Sequence, residues 1–362
     1  MRIAIDAREL AGQPTGVGRY LAEILRGWNE LPDAASHEFL LCAPGPIDPP
    51  RASNLRLSID TAAGNGTLWE QFTLPRVLTR SGADVLFAPG YSGPVLCPVP
   101  MVVTIHDVSF AAHPEWFSWR EGMRRRIITS LAARRASRVL TDSDFSKREI
   151  VAHLGIDRSR IDVIYCGATP LSRSTEIWTA HSEPLVLYVG SIFNRRHVPE
   201  LVEGFARLAQ RRPQVLLEIV GDNRSRPRIE LDRQVEASGM DKLVRVRSYV
   251  SDRELAELYS RAGAFAFLSE YEGFGMTPLD ALAAGVPIVV LDTEVAREIY
   301  GPSAVYVPRP EPGLIEEALE RVLFDREERV RLRDAARGVL ARYSWRQCAE
   351  RTLHVLTAAA TG

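Results

Sequence analysis

The residues of this chain that suit chemistry lie in short segments where glycine, arginine and carboxylates crowd together. The densest is Ser269-Glu270-Tyr271-Glu272-Gly273-Phe274-Gly275-Met276-Thr277-Pro278-Leu279-Asp280. Gly273 and Gly275 let consecutive backbone N–H groups approach a ligand, and Pro278 marks a helix start, a ready site for an anion. Glu272 and Asp280 add two carboxylates with seven residues between them. The plainer readings are a loop acid for Glu272 and a Thr277-x-x-Asp280 capping box.

Four other segments qualify. Arg195-Arg196 follows a strand-like run, and paired guanidinium groups suit a diphosphate, or simply a solvated turn. Thr15-Gly16-Val17-Gly18 precedes Arg19-Tyr20 and suits a phosphate or a tight turn; Leu21 stands where a dinucleotide fingerprint has its third glycine. His106-Asp107 ends an apolar run and suits sugar hydroxyls or acid–base work, or a buried structural histidine. Asp142-Ser143-Asp144 matches the D-x-D string of metal-dependent nucleotide-sugar enzymes, but a helix follows at once, so capping is the simpler reading.

The elements that must position these loops alternate between strand and helix, the pattern of a parallel α/β sheet. In the first half residues 2–7, 38–42, 84–88, 101–105, 138–141 and 161–165 read as strands, with helices over 19–28 and 145–154. In the second half 185–189, 215–220, 264–268 and 288–291 read as strands, with helices over 199–211, 254–262 and 278–284. The tail from 345 is helical. This predicts two doubly wound domains, 1–168 and 185–344, a linker at 169–184 and a final helix at 345–362. Ligands of such folds bind at the C-terminal ends of strands, so facing domains would place one between them.

Composition bounds the rest. The 362 residues are 46% hydrophobic and 25% charged, with net charge −1, which excludes disorder and argues against a nucleic-acid binder. No run approaches a membrane span, and the N-terminus reads as a strand, so the expected location is cytoplasmic. Cys42, Cys97, Cys166 and Cys348 are too dispersed for a zinc cluster. Residues 119–138 hold seven arginines beside Met123, Ile127, Ile128 and Leu131. They read as a helix packed on the core, or as one facing an anionic membrane.

Taken in order, these segments resemble family 4 of the retaining glycosyltransferases, and the resemblance runs from residue 1 to about 355. It rests on Ile5-Asp6-Ala7-Arg8 with Gly16-Val17-Gly18-Arg19-Tyr20, on Thr104-Ile105-His106-Asp107, on Arg195-Arg196, and on Glu272-Gly273-Phe274-Gly275 through Asp280. It implies the GT-B architecture, two facing Rossmann-like domains with a cleft between them. It also implies hexose transfer, mannose by the branch it most resembles, from a GDP-sugar to a saccharide or lipid-linked acceptor. No metal would be required, and any membrane contact would be peripheral, at the inner face, through 119–138. Gly16, Val17 and Gly18 would border the diphosphate or the acceptor, and His106 with Asp107 the transferred sugar. Arg195 and Arg196 would neutralise the leaving group. Glu272 would meet the sugar, with Gly273, Phe274, Gly275, Met276 and Thr277 around it. Asp280 would hold the ribose, and Tyr249 and Val250 the base. The family usually has Glu at 280 and Lys at 196, often Arg at 191 and Asn at 166.

Two rivals share the fold. A nucleotide-sugar epimerase would need no acceptor, and an inactive binding subunit of a polysaccharide assembly complex would turn nothing over. Only Lys147 and Lys242 occur, neither at a strand end, which disfavours pyridoxal-phosphate chemistry.

Overall fold

A computed structural model describes residues 1–12, 16–64, 66–169 and 183–362. Thr15 and nearly all of the linker expected at 169–184 lie outside the described residues. The chain divides into two compact units, Met1–Gly167 with Tyr343–Gly362, and Ala168–Arg342.

The first unit is built on seven parallel strands: β1 (Arg2–Asp6), β2 (Glu38–Ala43), β3 (Arg56–Thr61), β4 (Val85–Ala88), β5 (Met101–Thr104), β6 (Arg138–Thr141) and β7 (Ile161–Val163). Their order is β3-β2-β1-β4-β5-β6-β7. The second carries β8 (Leu185–Val189), β9 (Leu216–Val220), β10 (Val244–Arg247), β11 (Ala264–Phe267), β12 (Ile288–Leu291) and β13 (Ala304–Val307), in the order β10-β9-β8-β11-β12-β13. A parallel sheet is covered by helices on both faces, so its inner strands are predominantly apolar. Val85-Leu86-Phe87-Ala88 and Ile288-Val289-Val290-Leu291 are buried throughout. The strand order reverses direction between β1 and β4 and between β8 and β11, and such switch points open a crevice at the C-terminal strand ends.

The strands absent from the sequence reading, β3, β10 and β13, are all edge strands. β3 (Arg-Leu-Ser-Ile-Asp-Thr) and β10 (Val-Arg-Val-Arg) alternate polar and apolar residues because water reaches them. The apolar β13 is not explained this way.

Six helices matter below: α1 (Val17–Asn29), α2 (Trp119–Arg135), α3 (Asp144–Leu154), α4 (Val198–Arg211), α5 (Met276–Ala283) and α6 (Trp345–Thr361). The C-terminal α6 packs on α1 of the first unit. The buried Trp28 indole N–H donates to the Ala349 carbonyl at 2.8 Å. Gly27 has no side chain because Ala349 and the Trp345 carbonyl occupy its flank.

Gly27→Leu should therefore force α6 away from α1. Overpacking typically costs about 1–3 kcal/mol, hence a fall in Tm of roughly 2–12 °C by calorimetry for a unit of this size. Gly338→Ala, facing open space inside the helix Arg326–Leu340, should leave Tm unchanged or slightly raised.

Candidate functional site

In the second unit, the loops after β8 and β11 flank the switch point and bring Arg196 to Glu272. Arg196 Nε donates to Glu272 Oε1 at 2.9 Å, and Nη2 lies 2.8 Å from the same oxygen. Nη1 donates to the Ser191 carbonyl at 2.9 Å. The guanidinium lies over Phe267 and Phe193, with its carbon 4.8 and 5.3 Å from their ring centres. Burial pulls the Arg196 pKa down, and the charge and hydrogen bonds of Glu272 together with those of Tyr188 more than restore it, so the group stays a cation. Ser269 Oγ donates to Glu272 Oε1 at 2.8 Å and orients the acid. Arg195 lies 4.4 Å over Phe193, and its carbonyl accepts the Glu270 N–H at 2.9 Å, tying the two loops together.

Gly275 is the N-cap of α5 at φ +89°, and a side chain there would run into the Tyr300 hydroxyl. That hydroxyl donates to the Gly275 carbonyl at 2.8 Å. The first N–H groups of α5 thus follow a rigid glycine turn, with Met276 and Thr277 as the first helical residues. Pro278 is the third helical residue, so neither the proline start nor the capping box forms. Asp280 is buried, and its Oδ1 accepts the Thr169 N–H at 3.1 Å. Tyr249 and Val250 follow the edge strand β10; Tyr249 is exposed and Val250 buried. Sequence reasoning missed a cavity of about 460 Å³ between the ends of β8 and β10, lined by Gly221, Asp222, Asn223 and Ser248 among others. Its walls come from loops without a recognisable motif.

In the first unit, His106 and Asp107 do not pair with each other. His106 Nδ1 lies 2.6 Å from Asp142 Oδ2, and Nε2 lies 2.9 Å from the Pro89 carbonyl. A carboxylate and a carbonyl both accept, so the ring that makes both bonds at once donates from both nitrogens, as an imidazolium does. Burial opposes the charge, but Asp142 overcomes it and raises the pKa. While both nitrogens donate, the ring has no lone pair with which to take up a proton. Asp107 instead accepts the Tyr91 hydroxyl at 2.8 Å and the Ser109 N–H at 2.8 Å. Tyr91 has φ +62°, a rare conformation for a bulky residue, and its ring meets His106 edge-on.

Asp142 is the residue whose role was least legible. The cap of α3 is Ser143, whose hydroxyl accepts the Ser146 N–H at 3.0 Å. Asp142 is buried against His106 and the Cys166 thiol, and burial first, then the Asp142 charge, pushes that thiol well above its usual range. Among the described residues no three metal-ligating side chains gather in one place. Gly16 caps α1 at φ +54°, and α1 begins at Val17, so Gly18 lies inside its first turn. Gly90 faces the Val17 side chain. A buried cluster also missed joins Arg8 to Asp6 at 2.7 Å and to Glu70. Burial raises Asp6 to about 6.

Two family models cover most of the chain. Residues 14–170 match Glycosyltransferase Family 4, and residues 175–339 match Glycosyl transferases group 1. The chain is 26% identical to O-antigen chain mannosyltransferase B of Escherichia coli, over 70% of this chain and 69% of that one. It is 25% identical to the MMP alpha-(1->4)-mannosyltransferase of Mycolicibacterium hassiacum, over 86% and 82%. The crystal structure of Anabaena HepE in complex with UDP and glucose superposes with TM-score 0.75 at 18% identity, over 99% of this chain and 100% of that one. WaaG, a glycosyltransferase involved in lipopolysaccharide biosynthesis, superposes with TM-score 0.73 at 18% identity, over 99% and 100%. These likenesses show the GT-B fold.

A cation whose folded pKa is raised lends stability at low pH and loses it as pH rises through the folded value. The His106 ring should titrate above its ordinary 6.5 by NMR. In Asp142→Asn, burial acts without the compensating charge and the midpoint should fall below 6.5. An unchanged midpoint would refute the imidazolium assignment.

Proposed function

The chain belongs to the group 1 glycosyltransferases, with a family 4 domain in its first half, and from that premise we propose its reaction. This hexosyltransferase moves mannose from GDP-mannose to a saccharide or lipid-linked saccharide acceptor, with retention of configuration and without a metal. The names of the two mannosyltransferase relatives support the sugar. The UDP in the HepE title makes the nucleotide the first thing to test.

The observation that carries the reading is Arg196 held against Glu272 at the switch point, beside the N-terminus of α5. Cleaving a sugar–diphosphate bond builds negative charge on the leaving group. Arg195, Arg196 and the leading N–H groups of α5 stabilise that charge where it develops. Three fixed sources of positive potential make a metal unnecessary. When the diphosphate engages Arg196, Glu272 is freed toward the sugar hydroxyls. Asp280 holds the ribose, a carboxylate one methylene shorter than the family's usual Glu. Tyr249 and Val250 take the base, and Gly16, Val17 and Gly18 border the acceptor or the diphosphate. His106 contributes position and charge, with Asp107 fixed beside it. No covalent nucleophile is assigned, consistent with front-face transfer. Peripheral contact with a membrane surface through residues 119–138 belongs to the same reading.

A thermal-shift series with GDP, UDP, ADP and dTDP should single out GDP. A ligand at a hundred times its Kd adds about 2.7 kcal/mol. A larger shift with UDP would replace the donor assignment. Glu272→Gln and Arg196→Ala should each reduce transfer by roughly 10²–10³-fold, the usual effect of losing one group that stabilises developing charge. Wild-type transfer by both variants would overturn the site. Treatment with EDTA should leave transfer intact, and complete loss would restore a metal mechanism.

A further inference from the structure

His197 has no part in the chemistry derived above, yet its backbone is held in a costly conformation beside that chemistry. It is the N-cap of α4, with φ +49° and ψ +39°. Residues with a side chain are uncommon in this left-handed region, though histidine enters it more often than most. Glycine would adopt it at no steric cost. Such strain persists where the surroundings over-determine a residue, so the contacts of the imidazole are the place to look for its cause.

The ring stands between two carboxylates from different elements. Nδ1 lies 3.2 Å from Glu200 Oε1, in the first turn of α4. Nε2 lies 2.8 Å from Glu270 Oε1, in the loop after β11. These two charges act on the ring, one from its own helix and one from the loop packed against it. Arg196, its neighbour in sequence, turns to Glu272 instead. Burial disfavours the charged ring, and the two glutamates more than offset it, so the pKa is raised above its ordinary 6.5. The imidazole is 13% exposed and the Glu270 side chain 43%, so water reaches one partner more than the other.

Three contacts join the loop after β8 to the loop after β11: the Arg196–Glu272 pair, the Glu270 N–H on the Arg195 carbonyl, and His197 against Glu270. A diphosphate competes with Glu272 for Arg196 and so loosens the first of them. The contact of His197 with Glu270 involves neither Arg196 nor Glu272 and survives that exchange. We propose that His197 is a positioning residue for donor binding: its ring grips Glu270 and keeps the two loops together once a sugar–diphosphate has drawn Arg196 from Glu272. The inference rests on the diphosphate reading of Arg196 given above. It adds a dependence on pH, because the grip is complete while the ring is charged and weakens as pH rises through the folded midpoint.

The test is calorimetric binding of GDP-mannose and of UDP-glucose to the full chain, without acceptor, from about pH 6 to about pH 9. The diphosphate of a sugar nucleotide does not titrate in this range, so a change of Kd with pH reports on the protein. Kd should rise about two- to fivefold as pH passes the His197 midpoint, followed in parallel by NMR, the effect of a charge pair that water partly reaches. His197→Asn keeps a residue that tolerates the left-handed backbone, and it should show the weaker Kd throughout with no step. Glu270→Gln should also lose the step, since it removes the charge and keeps the backbone bond to Arg195. His106 titrates in all of these proteins, so a step of wild-type size in His197→Asn would belong to another group and overturn the proposal. No step in the wild type would overturn it equally. Arg196→Ala should bind more weakly than the wild type at every pH. Wild-type affinity in Arg196→Ala, or binding of neither sugar nucleotide by the wild type, would overturn the diphosphate reading and this inference with it.

Discussion

A guanidinium removed from water survives only where an anion faces it, and the second unit is organised around meeting that condition for Arg196. Its charge is desolvated between Phe193 and Phe267, and Glu272 compensates for it. A half-buried pair of this kind is weak evidence of stability, because desolvating both ions costs about what their attraction returns. It is better understood as a cation kept in place for a second anion. Ser269, the Ser191 carbonyl and the link from Glu270 to Arg195 hold the two loops in the geometry the pair needs. The glycine turn at Gly275 then aims the start of α5 from the same loop.

The first unit meets the same constraint with different residues. His106 is a half-buried ring whose charge partner, Asp142, comes from the neighbouring strand end and not from the adjacent Asp107. Cys166 stands against that anion where the family commonly has Asn. Tyr91 accepts an unfavourable backbone conformation and in return bonds Asp107 while packing on His106. Strain of this kind persists where the surroundings over-determine a residue, and it gathers at functional sites. In both units the ion pairs lie beyond the C-terminal strand ends, where loops can vary without disturbing the sheet.

α2 shows how one composition supports opposite readings. Apolar and basic residues at helical spacing suggest amphipathicity whether the apolar side faces the core or the solvent. Gly122, Ala132 and Ala133 decide between them, because small side chains let the helix sit close to the sheet and turn the large ones outward. That choice is made by the space available beside β5, which a helical wheel does not contain.

The amino-acid sequence alone determined the alternation of strands and helices, the identity of the buried inner strands, and the glycine and arginine loops that follow β8 and β11. These are local properties: periodicity, turn chemistry and runs of apolar side chains are carried by neighbouring residues. The edge strands β3 and β10 escaped because water on one side removes the apolar run that announces a strand. The partners of charged groups were decided only by tertiary structure. Nothing in the spacing of 106 and 142, or of 196 and 272, indicates that these residues meet. They meet because parallel pairing aligns the ends of strands distant in sequence, and because a charge buried there must find its counter-ion among whatever residues those ends present.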